Sequence, residues 1–149
     1  MKFYFAKGIV RYKDDGWVVI ECPYSIANYY KWWVEKFIGK KISTSYHGPH
    51  ISVVAAKHEP AKNKANWKKY EGKIVDFKYF CNLKSDSKFL SRGIYFWLPV
   101  ECPAIAEIRT SLGLKPNLKW PYHMTIGYCE SNKPTNDKVL QLPKKCIHL

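Results

Sequence analysis

The sequence predicts an α+β chain built from two similar halves, and three observations predict it. The order hairpin, helix, strand is read twice, over about residues 1–56 and again over 73–129. The same local pattern, a hydrophobic residue followed by Glu-Cys-Pro, stands at one junction in each half: Ile20-Glu21-Cys22-Pro23 and Val100-Glu101-Cys102-Pro103. Each marks the end of a second strand and the start of a helix, as an internal duplication would leave them. Finally, 149 residues make a single domain, 1–149, and 46% hydrophobic with 16% aromatic content excludes disorder. A core of that size needs neither disulfides nor a structural metal.

Each element has its own justification. Phe3–Tyr12 is rich in aromatic and β-branched residues, Lys13-Asp14-Asp15-Gly16 is turn chemistry, and 17–22 is a second apolar run, so the chain opens on a β-hairpin. After Pro23 and Ser25, the residues Ile26, Tyr29, Tyr30, Trp33, Val34 and Phe37 repeat at helical spacing up to Gly39, a helix stop. Within 49–56 a short β-branched run reads as a buried strand. Residues 57–73 are lysine-rich, partly helical and carry Trp67; 74–83 and 94–100 form a second hairpin around Asp86 and Ser87. Pro103 opens a second helix with Ile105, Ile108 and Leu112 on one side, ending near Gly113, and Pro121 precedes a last strand over 122–129. The polar, proline-punctuated 130–149 leaves room for a short edge strand.

Charge points to anionic partners, because 25 Lys+Arg against 12 Asp+Glu give a formal net charge of +13. Nearly all of it is lysine, with Arg11, Arg92 and Arg109 the only arginines, which suits attraction more than bidentate base reading. Cys22, Cys81, Cys102, Cys129 and Cys146 form no CxxC pair, so neither a disulfide framework nor a zinc site is indicated, and free thiols suit a reducing compartment. No apolar run reaches the ~18 residues of a membrane span, and Lys7 follows too soon after Phe3 for a signal peptide. A soluble intracellular domain is expected.

The strand after each helix carries histidine, any residue, a hydroxyl residue and an aliphatic: His50-Ile51-Ser52-Val53 and His123-Met124-Thr125-Ile126. Residues i and i+2 of a strand share a face, so His50 with Ser52, and His123 with Thr125, point away from the inward aliphatics. Halves packed about a pseudo-twofold axis would bring both pairs together. Phosphodiester cleavage has use for that set: a neutral imidazole takes a proton, an imidazolium returns one, and hydroxyls donate to the phosphoryl oxygens, with no metal required. His47 reads as a loop residue, His58 begins the basic connection and His148 lies in the tail. Aromatics placed to stack on bases are Tyr12, Tyr122 and Trp67, the last flanked by Lys64 and Lys68, which would draw in the substrate.

From Phe3 to about Cys129 the chain, with its two His-x-Ser/Thr-aliphatic strands, resembles the two-histidine (2H) phosphoesterase superfamily. That superfamily favours threonine after the first histidine; Ser52 keeps the hydroxyl and drops a methyl. Pro49-His50-Ile51-Ser52 is similar to viral members that destroy 2′,5′-linked oligoadenylates, while the short chain beginning Met1-Lys2-Phe3-Tyr4 looks more like the phage anti-CBASS nucleases, which cleave cyclic di- and trinucleotide alarm signals. The resemblance implies two lobes, antiparallel sheets around a central basic cleft with helices on the outside. It also implies a metal-independent, cofactor-free phosphodiesterase acting on 3′,5′ linkages of a cyclic di- or trinucleotide in the cytoplasm, the host's for a viral protein. Within the resemblance His50, Ser52, His123 and Thr125 are catalytic. The alternative enzyme takes a linear end, a 2′,5′-oligoadenylate or an RNA 2′,3′-cyclic phosphate; the alternative without chemistry is an RNA-binding module.

Overall fold

The computed structural model describes residues 2–86, 93–118 and 121–130, with Glu130 by its backbone alone. Cys146, His148, the Ser87 turn residue and the expected edge strand within 130–149 lie outside the described residues. The elements run β1 (Phe3–Tyr12), β2 (Val18–Glu21), α1 (Tyr24–Ile38), β3 (His50–Val54), β4 (Ile74–Phe80), β5 (Lys84–Asp86), β6 (Gly93–Glu101), α2 (Ala104–Ser111) and β7 (His123–Glu130). The first hairpin turns where expected: Lys13 N–H donates to the Trp17 carbonyl (2.8 Å) and Gly16 takes φ 91°, a conformation side chains oppose. Helix α1 buries Ile26, Ala27, Tyr30 and Val34 and stops at left-handed Gly39, whose N–H caps the Glu35 carbonyl.

The seven described strands belong to one antiparallel sheet in the order β4-β1-β2-β3-β7-β6-β5, and β4 also pairs with β6. That pairing closes six of the strands into a barrel and leaves the three-residue β5 on its outer edge. The expected two-lobed α+β 2H phosphoesterase-like fold, with helices outside and a central cleft, is therefore corrected: the described residues form a closed antiparallel β-barrel with two helices among them, of 15 and eight residues. The reason lies in the strand edges. Each half makes a three-stranded unit, β1-β2-β3 or β4-β6-β7, whose outer strands would expose unpaired N–H and C=O groups. Joining the units at both seams removes those edges. One seam is long, Phe3↔Phe80 through Ile9↔Ile74; the other is short, His50↔Thr125 and Ile51↔Met124. The halves occupy equivalent places in the ring, and their histidine strands lie hydrogen-bonded side by side.

Alternation sorts the strands into two faces. Val10, Ile20, Ile51, Val53, Phe77, Phe96, Leu98, Met124 and Ile126 join the buried residues of both helices in one apolar cluster. The intervening residues, His50 and Ser52, His123 and Thr125, with Tyr95 and Trp97, belong to the other face.

Arg109, in the second helix, is fully buried. Its guanidinium donates to the Lys115 carbonyl (2.8 Å), the Val53 carbonyl (2.9 Å) and the Glu59 carboxylate (2.7 Å). It thereby ties the end of β3 to the loop that leads into β7.

Candidate functional site

The two histidines arrive at the site by equivalent routes. Before β3 the chain makes a turn in which Gly48 takes φ 68° and accepts a hydrogen bond from the Ser45 hydroxyl (2.8 Å). The left-handed φ favours glycine here, and a Cβ on Gly48 would sit 2.6 Å from the Tyr24 hydroxyl, which would have to move aside. The Gly48 carbonyl in turn lies 2.7 Å from His50 Nδ1. A carbonyl only accepts, so Nδ1 carries the proton and Nε2 keeps its lone pair. His123 Nδ1 likewise faces the carbonyl two residues upstream, that of Pro121, at 3.4 Å. Both imidazoles are anchored through Nδ1 and leave Nε2 for chemistry.

Pairing across the short seam sets His50 opposite Thr125, and cross-strand partners share a face. His50 is 6% exposed and Thr125 is buried, whereas Ser52 and His123 are half-buried. The Thr125 hydroxyl is hydrogen-bonded to the Tyr95 hydroxyl. The His123 ring lies against Tyr95 (5.9 Å between centroids, edge-on) and Trp97 (5.2 Å). These two rings hold the His123 imidazole in position.

The electrostatics separate the two histidines. Burial pushes His50 down to about 4, helped by the nearby charges of His47, His123 and Lys13 and opposed by the Gly48 carbonyl. His123 is also lowered by burial, against the pull of the Pro121 carbonyl. Burial raises Tyr95 to about 12, so it stays a neutral hydrogen-bond partner. His50 must protonate on unfolding at mildly acidic pH, where the folded state holds it neutral. Stability is therefore full above 6.5 and lost as pH falls from 6.5 toward 4. The loss attributable to His50 approaches about 3 kcal/mol. Urea melts across that range are expected to show a shallower pH dependence in His50→Gln than in the parent protein; equal slopes would contradict a buried neutral imidazole.

The structure brings together His50, Ser52, His123 and Thr125 on one face, but not the expected base-stacking residues. Tyr12 is buried on the apolar face, edge-on to Trp67 (5.0 Å), and its hydroxyl accepts from the Tyr70 N–H. Trp67 packs against the core, with the Lys64 ammonium 5.6 Å over its ring. The lysine-rich segment docks on the end of α2, through Lys62 and Asn63 N–H to the Leu112 carbonyl and Asn66 to the Ser111 carbonyl. Lys64 and Lys68 are exposed on this segment. Tyr122 fixes its own loop, its hydroxyl accepting from Leu118 N–H (3.0 Å) and donating to the Pro116 carbonyl (3.1 Å).

In their place the histidine face holds residues that the sequence reading passed over. Tyr95 and Trp97 come from β6, where both faces are apolar and alternation carries no signal. Glu21 lies opposite His50 on β2 and is paired with Arg11 (3.4 Å) and Lys13 (3.3 Å). The repeated Glu-Cys-Pro is the available sign for Glu21, and the hairpin turn that begins at Lys13 for the cation. Comparison with protein-family models, with curated proteins and with solved structures returned no match.

Proposed function

We propose that this chain is a metal-independent phosphodiesterase in which His50 is the general base and His123 the general acid. The observation that carries the reading is the short seam: it sets His50 and Thr125 opposite each other on adjacent strands, with both imidazoles anchored through Nδ1. His50, held neutral beside Lys13 and His47, suits proton removal. His123, positioned by the rings of Tyr95 and Trp97 and anchored through Nδ1, is the imidazole left to deliver the proton. Ser52 and Thr125 would donate to the non-bridging phosphoryl oxygens, and the bond to Tyr95 orients the Thr125 hydroxyl. This is the chemistry of two-histidine phosphoesterases, reached here from the residues and their bonds and not from the fold.

The substrate we assign is a cyclic di- or trinucleotide messenger with 3′,5′ linkages, met in the cytoplasm, as in the phage anti-CBASS nucleases that the sequence resembles. The net charge of +13 supports an anionic substrate. Among the described residues no helix is long and apolar enough to cross a membrane. Incubation with cyclic and linear oligonucleotides, products being identified by mass, tests the assignment. Cleavage of the cyclic 3′,5′ substrates, undiminished by EDTA, is expected; exclusive cleavage of 2′,5′ linkages or 2′,3′-cyclic ends would move the substrate class, and binding without cleavage would favour an RNA-binding module.

The pH profile has an expected shape. The base must be neutral and the acid protonated, and kcat/KM reports the free enzyme. With His50 near 4 and His123 below 6.5, kcat/KM should peak between those values and fall tenfold per pH unit on the alkaline side. A plateau extending above pH 8 would contradict His123 as the acid.

A further inference from the structure

Next to His50 lies a cavity of about 450 Å³ whose lining includes Lys7, Ile9, Glu21, Tyr24, His47 and Pro49. Ile9 pairs with Glu21, and Glu21 with His50, so these three form a row on one face and the cavity opens next to the His50 side chain. His47 joins the two places: it lines the cavity, and its ring sits 5.3 Å from that of His50. The volume falls within the ~300–1,000 Å³ of small-molecule sites. Ile9, Pro49 and the Tyr24 ring give apolar walls, and the His47 ring packs against Trp17 (5.7 Å) and edge-on against Tyr46 (4.9 Å). Two polar groups of opposite sign complete the lining, the Glu21 carboxylate and the Lys7 ammonium. Both are ion-paired at the surface, Lys7 with Asp76 (2.6 Å) and Glu21 with Arg11 (3.4 Å) and Lys13 (3.3 Å), and with Lys7 71% and Glu21 39% exposed these are solvent-screened pairs that a base edge can replace at little cost.

We propose that this cavity is a guanine subsite for the nucleoside next to the scissile phosphate, an assignment that rests on the phosphodiesterase reading. Guanine presents along one edge a carbonyl acceptor, O6, followed by two adjacent donors, N1–H and the N2 amino group. A carboxylate accepts such a pair of donors in parallel, and an ammonium beside it meets the carbonyl. Adenine offers on the same edge one amino donor and then the N1 lone pair, which a carboxylate repels. Pyrimidines present a smaller face to His47 and no paired donors next to a carbonyl in that order. The His47 ring supplies the stacking surface, and its ring, not its proton, does the work.

Titration calorimetry with guanosine 5′-monophosphate and adenosine 5′-monophosphate tests the subsite without requiring turnover. Guanosine monophosphate is expected to bind about 10- to 100-fold more tightly, the discrimination of one paired hydrogen-bonding contact. Glu21→Gln should bring the two affinities together, His47→Ala should weaken both nucleotides about tenfold or more, and His47→Phe should restore them, because stacking is kept. Equal binding of the two nucleotides by the parent protein, or a preference that survives Glu21→Gln, would overturn the proposal. Cleavage of 3′,5′-linked ribodinucleotides, measured in parallel, separates the two claims: Glu21-dependent binding without cleavage upholds the subsite and refutes the phosphodiesterase, whereas cleavage indifferent to the base refutes the subsite alone.

Discussion

Replacing either His50 or His123 by alanine is expected to lower kcat by a factor of about 10²–10⁴ while substrate still binds. The size follows from the roles assigned to them. Proton removal from the attacking hydroxyl and proton delivery to the leaving oxygen occur in one transition state, so the loss of either imidazole forfeits its share of the rate without touching ground-state contacts. The variants should also interact: the double variant is expected to be little slower than the slower single one, because the two side chains act as a unit. They should differ in pH response as well. With His50 absent the acidic limb near 4 disappears, and with His123 absent the alkaline limb does. Steady-state kinetics on one 3′,5′-linked substrate measure all of this. A His50→Ala protein as active as its parent would remove the pair from the account.

The largest effect on stability is expected at Arg109. Its guanidinium is fully buried and bonds two carbonyls and the Glu59 carboxylate at 2.7–2.9 Å, with a longer contact to the Asn117 carbonyl at 3.5 Å. Arg109→Ala leaves these acceptors without their donor and opens a void, which should cost about 3–5 kcal/mol. In a domain of this length that lowers Tm by roughly 10–20 °C. Arg109→Lys should recover little, because a single ammonium cannot reach three acceptors set out for a planar fork. Thermal and urea unfolding check both variants. A loss below about 1 kcal/mol in Arg109→Ala would show that water replaces the arginine at no cost.

What could be read from the sequence, and what could not, divides along the range of the signals. Local periodicity placed the first hairpin, both helices and both histidine strands, because a two-residue repeat or a 3.6-residue repeat needs only a few neighbours to be visible. The same period put His50 with Ser52, and His123 with Thr125, on one face. It said nothing about which strand lies beside which. Closure of the barrel depends on Phe3 meeting Phe80 and on His50 meeting Thr125, pairings between distant parts of the chain that alternation does not encode. The expected cleft was lost there.

The placement of Tyr12 and Trp67 is illegible for a related reason. An aromatic at a strand end and one among lysines both look exposed locally, yet each is covered by the other. Tyr95 and Trp97 were hidden by the opposite case, since β6 alternates between buried aliphatics and equally apolar neighbours. Arg109 left a legible trace: it stands four residues after Ile105, on the apolar side of its helix, where an arginine calls for buried partners.

The fate of a 3′,5′ linkage with and without its neighbouring 2′-hydroxyl tests the two-histidine mechanism most directly. With two imidazoles as the proton-transfer groups, the hydroxyl already held near the phosphorus is the favoured nucleophile, an arrangement that contributes about 7–11 kcal/mol over a free one. His50 takes its proton, the new bond to phosphorus forms as the bond to the 5′-oxygen breaks, and His123 protonates that departing oxygen. Mass analysis of a ribose substrate should therefore show a 2′,3′-cyclic phosphate as first product, and the 2′-deoxy analogue should bind and remain whole. Cleavage of the deoxy analogue at a comparable rate, with no cyclic phosphate from the ribose substrate, would contradict the mechanism.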